Sequence, residues 1–308
     1  MPQATNRGRY LVGGLIFAGF VALVQVYFGW AYLLAPWATL PPKALLMAIL
    51  LVFASYWVRA MRLYDYFKPE MRGAFKVCFK LMLQHNLLNN LLPMRTGEIS
   101  FPVLMARYFT IPVARSVPVL VWFRLLDLHV LLLLGLLIAG DLWLPRASLP
   151  ILLLMWMSVP YFALIMGERG ANFLSARLHN RLAKLLHAGL TGLPPNPLAL
   201  WRAWVWGLVN WLAKLGAFAW IMLLFIDVPA RAAWLGVIAG DLTSVLPIHG
   251  IAGAGTYEAG VVAGLLPFNI AAAEALKAAV NVHLFLLGST LIGGAISLML
   301  PRTQKASA

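Results

Sequence analysis

Most of the residues able to do chemistry in this chain fall in two short stretches. The first is Asn89-Asn90-Leu91-Leu92-Pro93-Met94-Arg95-Thr96-Gly97-Glu98. The second is Leu246-Pro247-Ile248-His249-Gly250, preceded by Asp241 and followed by Gly253, Gly255 and Glu258. Arg95 and Glu98 are three apart, so a helix starting after Pro93 carries them on one face. An arginine can grip a phosphate through two parallel hydrogen bonds. The free amides of that helix start favour an anion as well. Glu98 could neutralise Arg95 when no ligand is present; equally, the two could form a plain ion pair that fixes a turn. Glu258, just beyond a glycine-rich break, could bind a cation or a proton. Arg124 and Asp127 form a third pair at the same spacing, followed by His129. They could bridge along one helix face, or Arg124 could snorkel to the membrane interface. Asn281 and His283 are further polar residues in an apolar run.

Several chemistries are excluded. The six histidines show no HExxH or similar metal spacing, and there is no P-loop and no Gly-x-Ser-x-Gly elbow. Cys78 is the sole cysteine, so neither an internal disulfide nor a thiolate metal cluster can form. The motifs therefore provide no catalytic residue, no metal site and no cofactor site, and they favour a transporter over an enzyme.

The elements that hold these residues must lie in lipid. Of 308 residues, 62% are hydrophobic and 11% charged, against about 25% charged in soluble proteins. The net charge of +14 is concentrated in short segments between apolar runs. That pattern points to membrane topology and anionic lipid rather than nucleic acid. Apolar runs long enough to span are 10–34, 44–64, 116–140, 149–166, 201–226 and 271–300. Two others are interrupted: 76–107 at Leu92-Pro93 and 232–266 at Leu246-Pro247. Proline removes a backbone donor, so each break predicts a turn between two short helices. The fold expected is all-α and polytopic, with about six full spans plus two broken or re-entrant helical hairpins.

Lysine and arginine set the orientation. Arg59, Arg62, Lys68, Arg72, Lys76 and Lys80 mark one cytoplasmic loop, and Arg169, Arg177, Arg181, Lys184 and Arg202 another. Both termini are then cytoplasmic, in a bacterial inner membrane. The two broken segments enter from opposite faces. The chain reads as a single transmembrane domain, 1–308, with inverted halves at about 1–166 and 201–308. An amphipathic cytoplasmic segment, 167–200, joins them. Broken helices at matching positions of two inverted halves point to a transport site near the midplane. Gly236-xxx-Gly240 and Gly260-xxx-Gly264 read as packing faces.

Asn89-Asn90-Leu-Leu-Pro93-x-Arg95-x-Gly97-Glu98 resembles the first signature of the lysylphosphatidylglycerol synthase transmembrane, or flippase-like, family. Leu246-Pro247 with Gly253-x-Gly255-x-x-Glu258 is similar to its second signature. Members often carry Pro-Gly just before the glycine pair, where this chain has Ile251-Ala252. The resemblance spans essentially the whole chain but includes no aminoacyl-transferase domain. It therefore implies lipid translocation rather than lysyl transfer. The expected partner is a membrane lipid with an anionic or phosphate headgroup, with a homodimer or a synthase as further partners. Asn89, Asn90, Arg95, Glu98, Arg124, Asp127, Asp241, His249 and Glu258 are the expected substrate-binding residues. Pro93, Gly97, Pro247, Gly250, Gly253 and Gly255 shape the breaks. The alternative is a membrane-embedded transferase, or its accessory subunit, acting on a lipid-linked substrate.

Overall fold

The computed structural model describes residues 3–177, 192, 194, 196–243 and 251–301, the side chains of Gln3–Gly13, Pro93–Arg95 and a few others excepted. Twelve α-helices form among these residues, and no strand. In chain order they are α1 (Gln3–Tyr27), α2 (Trp30–Leu34), α3 (Pro42–Tyr66), α4 (Lys68–Met71), α5 (Phe75–Leu91), α6 (Ser100–Phe109), α7 (Val113–Ala139), α8 (Leu149–Arg177), α9 (Pro197–Phe225), α10 (Ala230–Thr243), α11 (Thr256–Leu265) and α12 (Ala272–Met299).

Among the described residues five helices are long and apolar enough to cross a bilayer: Pro42–Tyr66, Val113–Leu142, Leu149–Gly167, Pro197–Phe225 and Ala272–Met299. Lipid solvation explains why α8 can leave Ile151, Leu154, Met155 and Phe162 exposed. In water such a surface would be an association hazard. The first apolar run is not one straight span. It bends by 93° between Gly14–Tyr27 and Trp30–Thr39. Gly29 adopts φ 78°, a backbone state open to glycine at little cost, and its N–H closes onto Val24 O. Hydropathy reads through such a bend because glycine does not lower it.

The chain divides into two compact units. The first comprises Met1–Tyr56, Leu83–Glu98 and Leu212–Met299. Its core gathers Val24, Leu33 and Val280 with Phe20, Phe28, Trp30 and Leu276. Asn281 on α12 uses its whole amide here. It accepts from Trp37 Nε1 (2.6 Å) and donates to Leu33 O (2.6 Å) and Lys277 O (2.7 Å). A buried amide satisfied in this way avoids the desolvation penalty of an orphan.

Within this unit α10 and α11 form an antiparallel hairpin. A Cβ on Gly264 would lie 2.7 Å from Leu235 O, one on Gly260 2.7 Å from Ala239 O, and one on Gly240 2.7 Å from Val261 Cγ2. Gly260 and Gly264 thus bring α11 against the α10 backbone, while Gly236 and Gly240 make room for the side chains of Leu265, Val261 and Tyr257, the packing faces expected from their spacing. At 1.5 Å per residue, α10 and α11 rise roughly 21 and 15 Å, well short of the ~30 Å hydrocarbon core. Helix α10 is described to Thr243, and a 3-10 turn stands at Ile251–Gly253. Pro247, His249 and Gly250 lie outside the described residues. The other break falls where proline predicts it. Helix α5 stops at Leu91, and Pro93–Ile99 continues as a 3-10 helix. This segment folds back so closely that a Cβ on Gly97 would stand 2.3 Å from Leu88 O.

The second unit comprises Trp57–Met82, Ile99–Trp211 and Leu300–Ala308. Helix α9 starts at Pro197, a favoured first helical residue, with the Asn196 side chain capping Ala199 N–H at 2.8 Å. Helix α8 runs on through Arg169 to Arg177; residues 178–191, 193 and 195 of the amphipathic segment lie outside the described residues. His129 is a bracket between helices. Its Nδ1 accepts from Trp204 Nε1 (3.1 Å), and its Nε2 therefore donates to Trp156 O (2.8 Å).

Candidate functional site

The first unit holds two buried pairs of ionisable side chains beside the α10–α11 break. Glu258 is the third residue of α11 and its side chain is almost wholly buried. One carboxylate oxygen accepts Gly255 N–H at 2.8 Å, satisfying an otherwise orphaned donor at the helix start. The other lies 2.7 Å from His283 Nδ1 on α12. His283 Nε2 sits 2.9 Å from Ala252 O. A carbonyl can only accept, so Nε2 carries hydrogen. Two states then fit the geometry. Either a neutral His283 accepts from protonated Glu258, or an imidazolium donates to a carboxylate. Both contain one proton shared between Nδ1 and the carboxyl.

Glycine makes this geometry possible. Gly253 and Gly255 hold φ of 80° and 86°. Ala252 between helices takes φ 56°, rare for a side-chain-bearing residue. The strain aims its carbonyl at His283. The Tyr257 ring lies tilted against the imidazole with centroids 4.6 Å apart, and a Cβ on Gly240 would stand 3.1 Å from it. Tyr257 Oη is buried and has no hydrogen-bond partner among the described residues.

The second pair is Lys214 on α9 with Asp241 on α10. Nζ stands 2.6 Å from Oδ1, with side-chain exposures of 14% and 3%. Both charges lie in apolar helices, where an unpaired ion is costly. Lys214 lies in the middle of the apolar run 201–226, whose other basic residue, Arg202, stands at its start. That signal was passed over; His283 was noted in the sequence, but not its pairing with Glu258.

The same unit contains the residues of the first break. Asn90 Nδ2 donates to Thr290 Oγ1 at 2.9 Å, anchoring the end of α5 to α12. Asn89 backs directly onto Gly97, and Glu98 is half-buried. Only the backbone of Pro93 and Arg95 is described. Arg124 and Asp127 belong to the second unit. They meet at 3.8 Å, but the closer partner of Asp127 is Arg62, whose Nη1 donates to Oδ1 at 2.5 Å. Arg62 was read in the sequence as one more loop cation. Its carboxylate partner is 65 residues away, and no local spacing announces it. Among the described residues no three His, Cys, Asp or Glu side chains converge as a metal set.

Long apolar helices, short helices packed as a hairpin and ionisable groups buried among them define a polytopic α-helical integral membrane protein. The chain belongs to the family described as the lysylphosphatidylglycerol synthase TM region, whose model matches residues 10–294. That match takes in both breaks and both pairs. No curated protein and no solved structure gives a match.

Proposed function

We propose that this membrane domain moves a lipid between leaflets, its anionic or phosphate-bearing headgroup passing the helix breaks while the acyl chains stay in lipid. The observation that carries the reading is the Glu258–His283 pair. A single exchangeable proton buried beside a strained, glycine-shaped break suits a step in which headgroup movement is coupled to proton uptake and release. The Lys214–Asp241 pair supplies a charge pair in the same unit, so that a crossing headgroup meets counter-charge rather than bare hydrocarbon. In this reading both termini face the cytoplasm of a bacterial inner membrane, the two broken segments enter from opposite faces, and Arg95 and Glu98 serve the first break. A synthase of the transported lipid, or a second copy, is the natural partner.

The test is leaflet exchange in proteoliposomes, with fluorescent lipids of differing headgroup and a dithionite quench. Glu258→Gln keeps an oxygen for Gly255 N–H and an amide donor for His283, so the hairpin should fold. It removes the exchangeable proton. Exchange should fall at least tenfold, about 1.4 kcal/mol of barrier, and its response to an imposed pH gradient should vanish. Unchanged exchange in folded Glu258→Gln would remove the proton role. If wild type exchanges no lipid but changes a lipid's mass, the protein is a transferase instead.

A further inference from the structure

The second unit contains a cavity of about 250 Å³ between the end of α3 and the start of α9. Helix α3 supplies Arg62, Asp65 and Tyr66; α9 supplies Leu198, Ala199 and Arg202. Arg62 is only 4% exposed. Its guanidinium rests against the Phe123 ring, Cζ to centroid 4.2 Å, and a Cβ on Gly207 would lie 3.4–3.5 Å from Cζ and both Nη atoms. Packing thus fixes its plane. One end of the group is used, since Nη1 donates to Asp127. The other edge, Nε and Nη2, is buried and has no hydrogen-bond partner among the described residues. That edge presents two parallel N–H groups, the fork that matches two oxygens of a phosphate or carboxylate.

The surrounding charge favours an anion too. Asp65 is paired with Arg202, and Asp127 with Arg62 and Arg124. Arg59 adds a further positive charge near Asp127. Four guanidinium groups thus face two carboxylates. The first turn of α9, at the cavity wall, adds the positive end of a 29-residue helix. Tyr66 donates its hydroxyl to Gly192 O at 2.9 Å, holding the wall in place.

We propose that this cavity is an oxyanion site in which the Nε–Nη2 edge of Arg62 takes a phosphate group, with Arg202 at the rim. The volume is below the ~300–1,000 Å³ of sites for drug-sized ligands. It admits a phosphate or small headgroup and not acyl chains. The phosphate belongs either to a lipid headgroup or to a free anion. The site stands whether or not the protein transports lipid, because binding is measured without transport.

The experiment is native mass spectrometry of the full chain in neutral detergent. Phosphatidylglycerol and diacylglycerol of identical acyl chains are offered together, and melting temperature is followed with inorganic phosphate. Wild type should retain phosphatidylglycerol in preference. Arg62→Lys keeps a cation for Asp127 but lacks the fork, so that preference should drop about tenfold. Should Arg62→Lys fold poorly, Arg202→Gln, changed at a half-exposed side chain, carries the same comparison with a severalfold drop. Stabilisation of wild type by inorganic phosphate, lost in the variant and without lipid preference, supports the site with free phosphate as its ligand. Equal retention of both lipids with no phosphate effect overturns the proposal, as does a folded Arg62→Lys that behaves as wild type.

Discussion

Lys214→Ala should destabilise the protein by about 3–5 kcal/mol, because it leaves Asp241 charged, buried and without its cation. Asp241 is 2% exposed, so water cannot replace the lost partner cheaply. Removing both charges is a different experiment. Lys214→Met with Asp241→Asn takes the ion out of the apolar interior altogether, and most of the lost stability should return. Leaflet exchange should not return with it, if the pair serves a crossing headgroup. Melting of each variant in detergent measures the first effect, and dithionite quenching the second. A single variant as stable as wild type would mean that Asp241 is solvated or held by other groups, and its role as a buried counter-charge would be lost.

Gly97→Ala should be nearly as damaging, for a steric reason. The new Cβ would stand 2.3 Å from Leu88 O and 2.4 Å from Asn89 Cα, and neither backbone atom can rotate away. The 3-10 segment would have to lift off α5. Overpacking of this kind costs about 1–3 kcal/mol, and more where backbone must move. The displaced end of α5 would take Asn90 from Thr290, so transport should fail as well. Gly288→Ala on α12 is the control. Nothing lies within 4 Å of the position its Cβ would take, and alanine should gain up to about 1 kcal/mol from helix propensity. Equal melting temperatures for the two variants would show that the first break is not closely packed.

Hydropathy gave away the spans because their length has one physical cause, the thickness of the bilayer. Proline at 93 likewise marked the end of α5, since its missing donor acts locally. The glycine pairs at 236/240 and 260/264 were readable as packing faces for the same reason: small residues four apart make one smooth stripe. What escaped was either silent in hydropathy or distant in sequence. Gly29 bends the first apolar run without breaking its apolar character. Arg62 looks like any loop cation until α7 brings Asp127 to it. Glu258 and His283 were each noted, but their meeting depends on α11 and α12 lying side by side. Lys214 is the exception. One lysine in the middle of an apolar run was visible, and the cost of burying it already implied a partner.

Asn281 has a consequence in time. The groups it satisfies, Leu33 O and Trp37 Nε1, are synthesised roughly 250 residues before it. Until α12 emerges from the ribosome and enters the membrane, the bent first segment holds a carbonyl and an indole N–H without their final partner. That segment is made long before it is completed. Insertion of α12 is therefore the event that closes the bent segment, and biogenesis there runs as a loop rather than in order along the sequence.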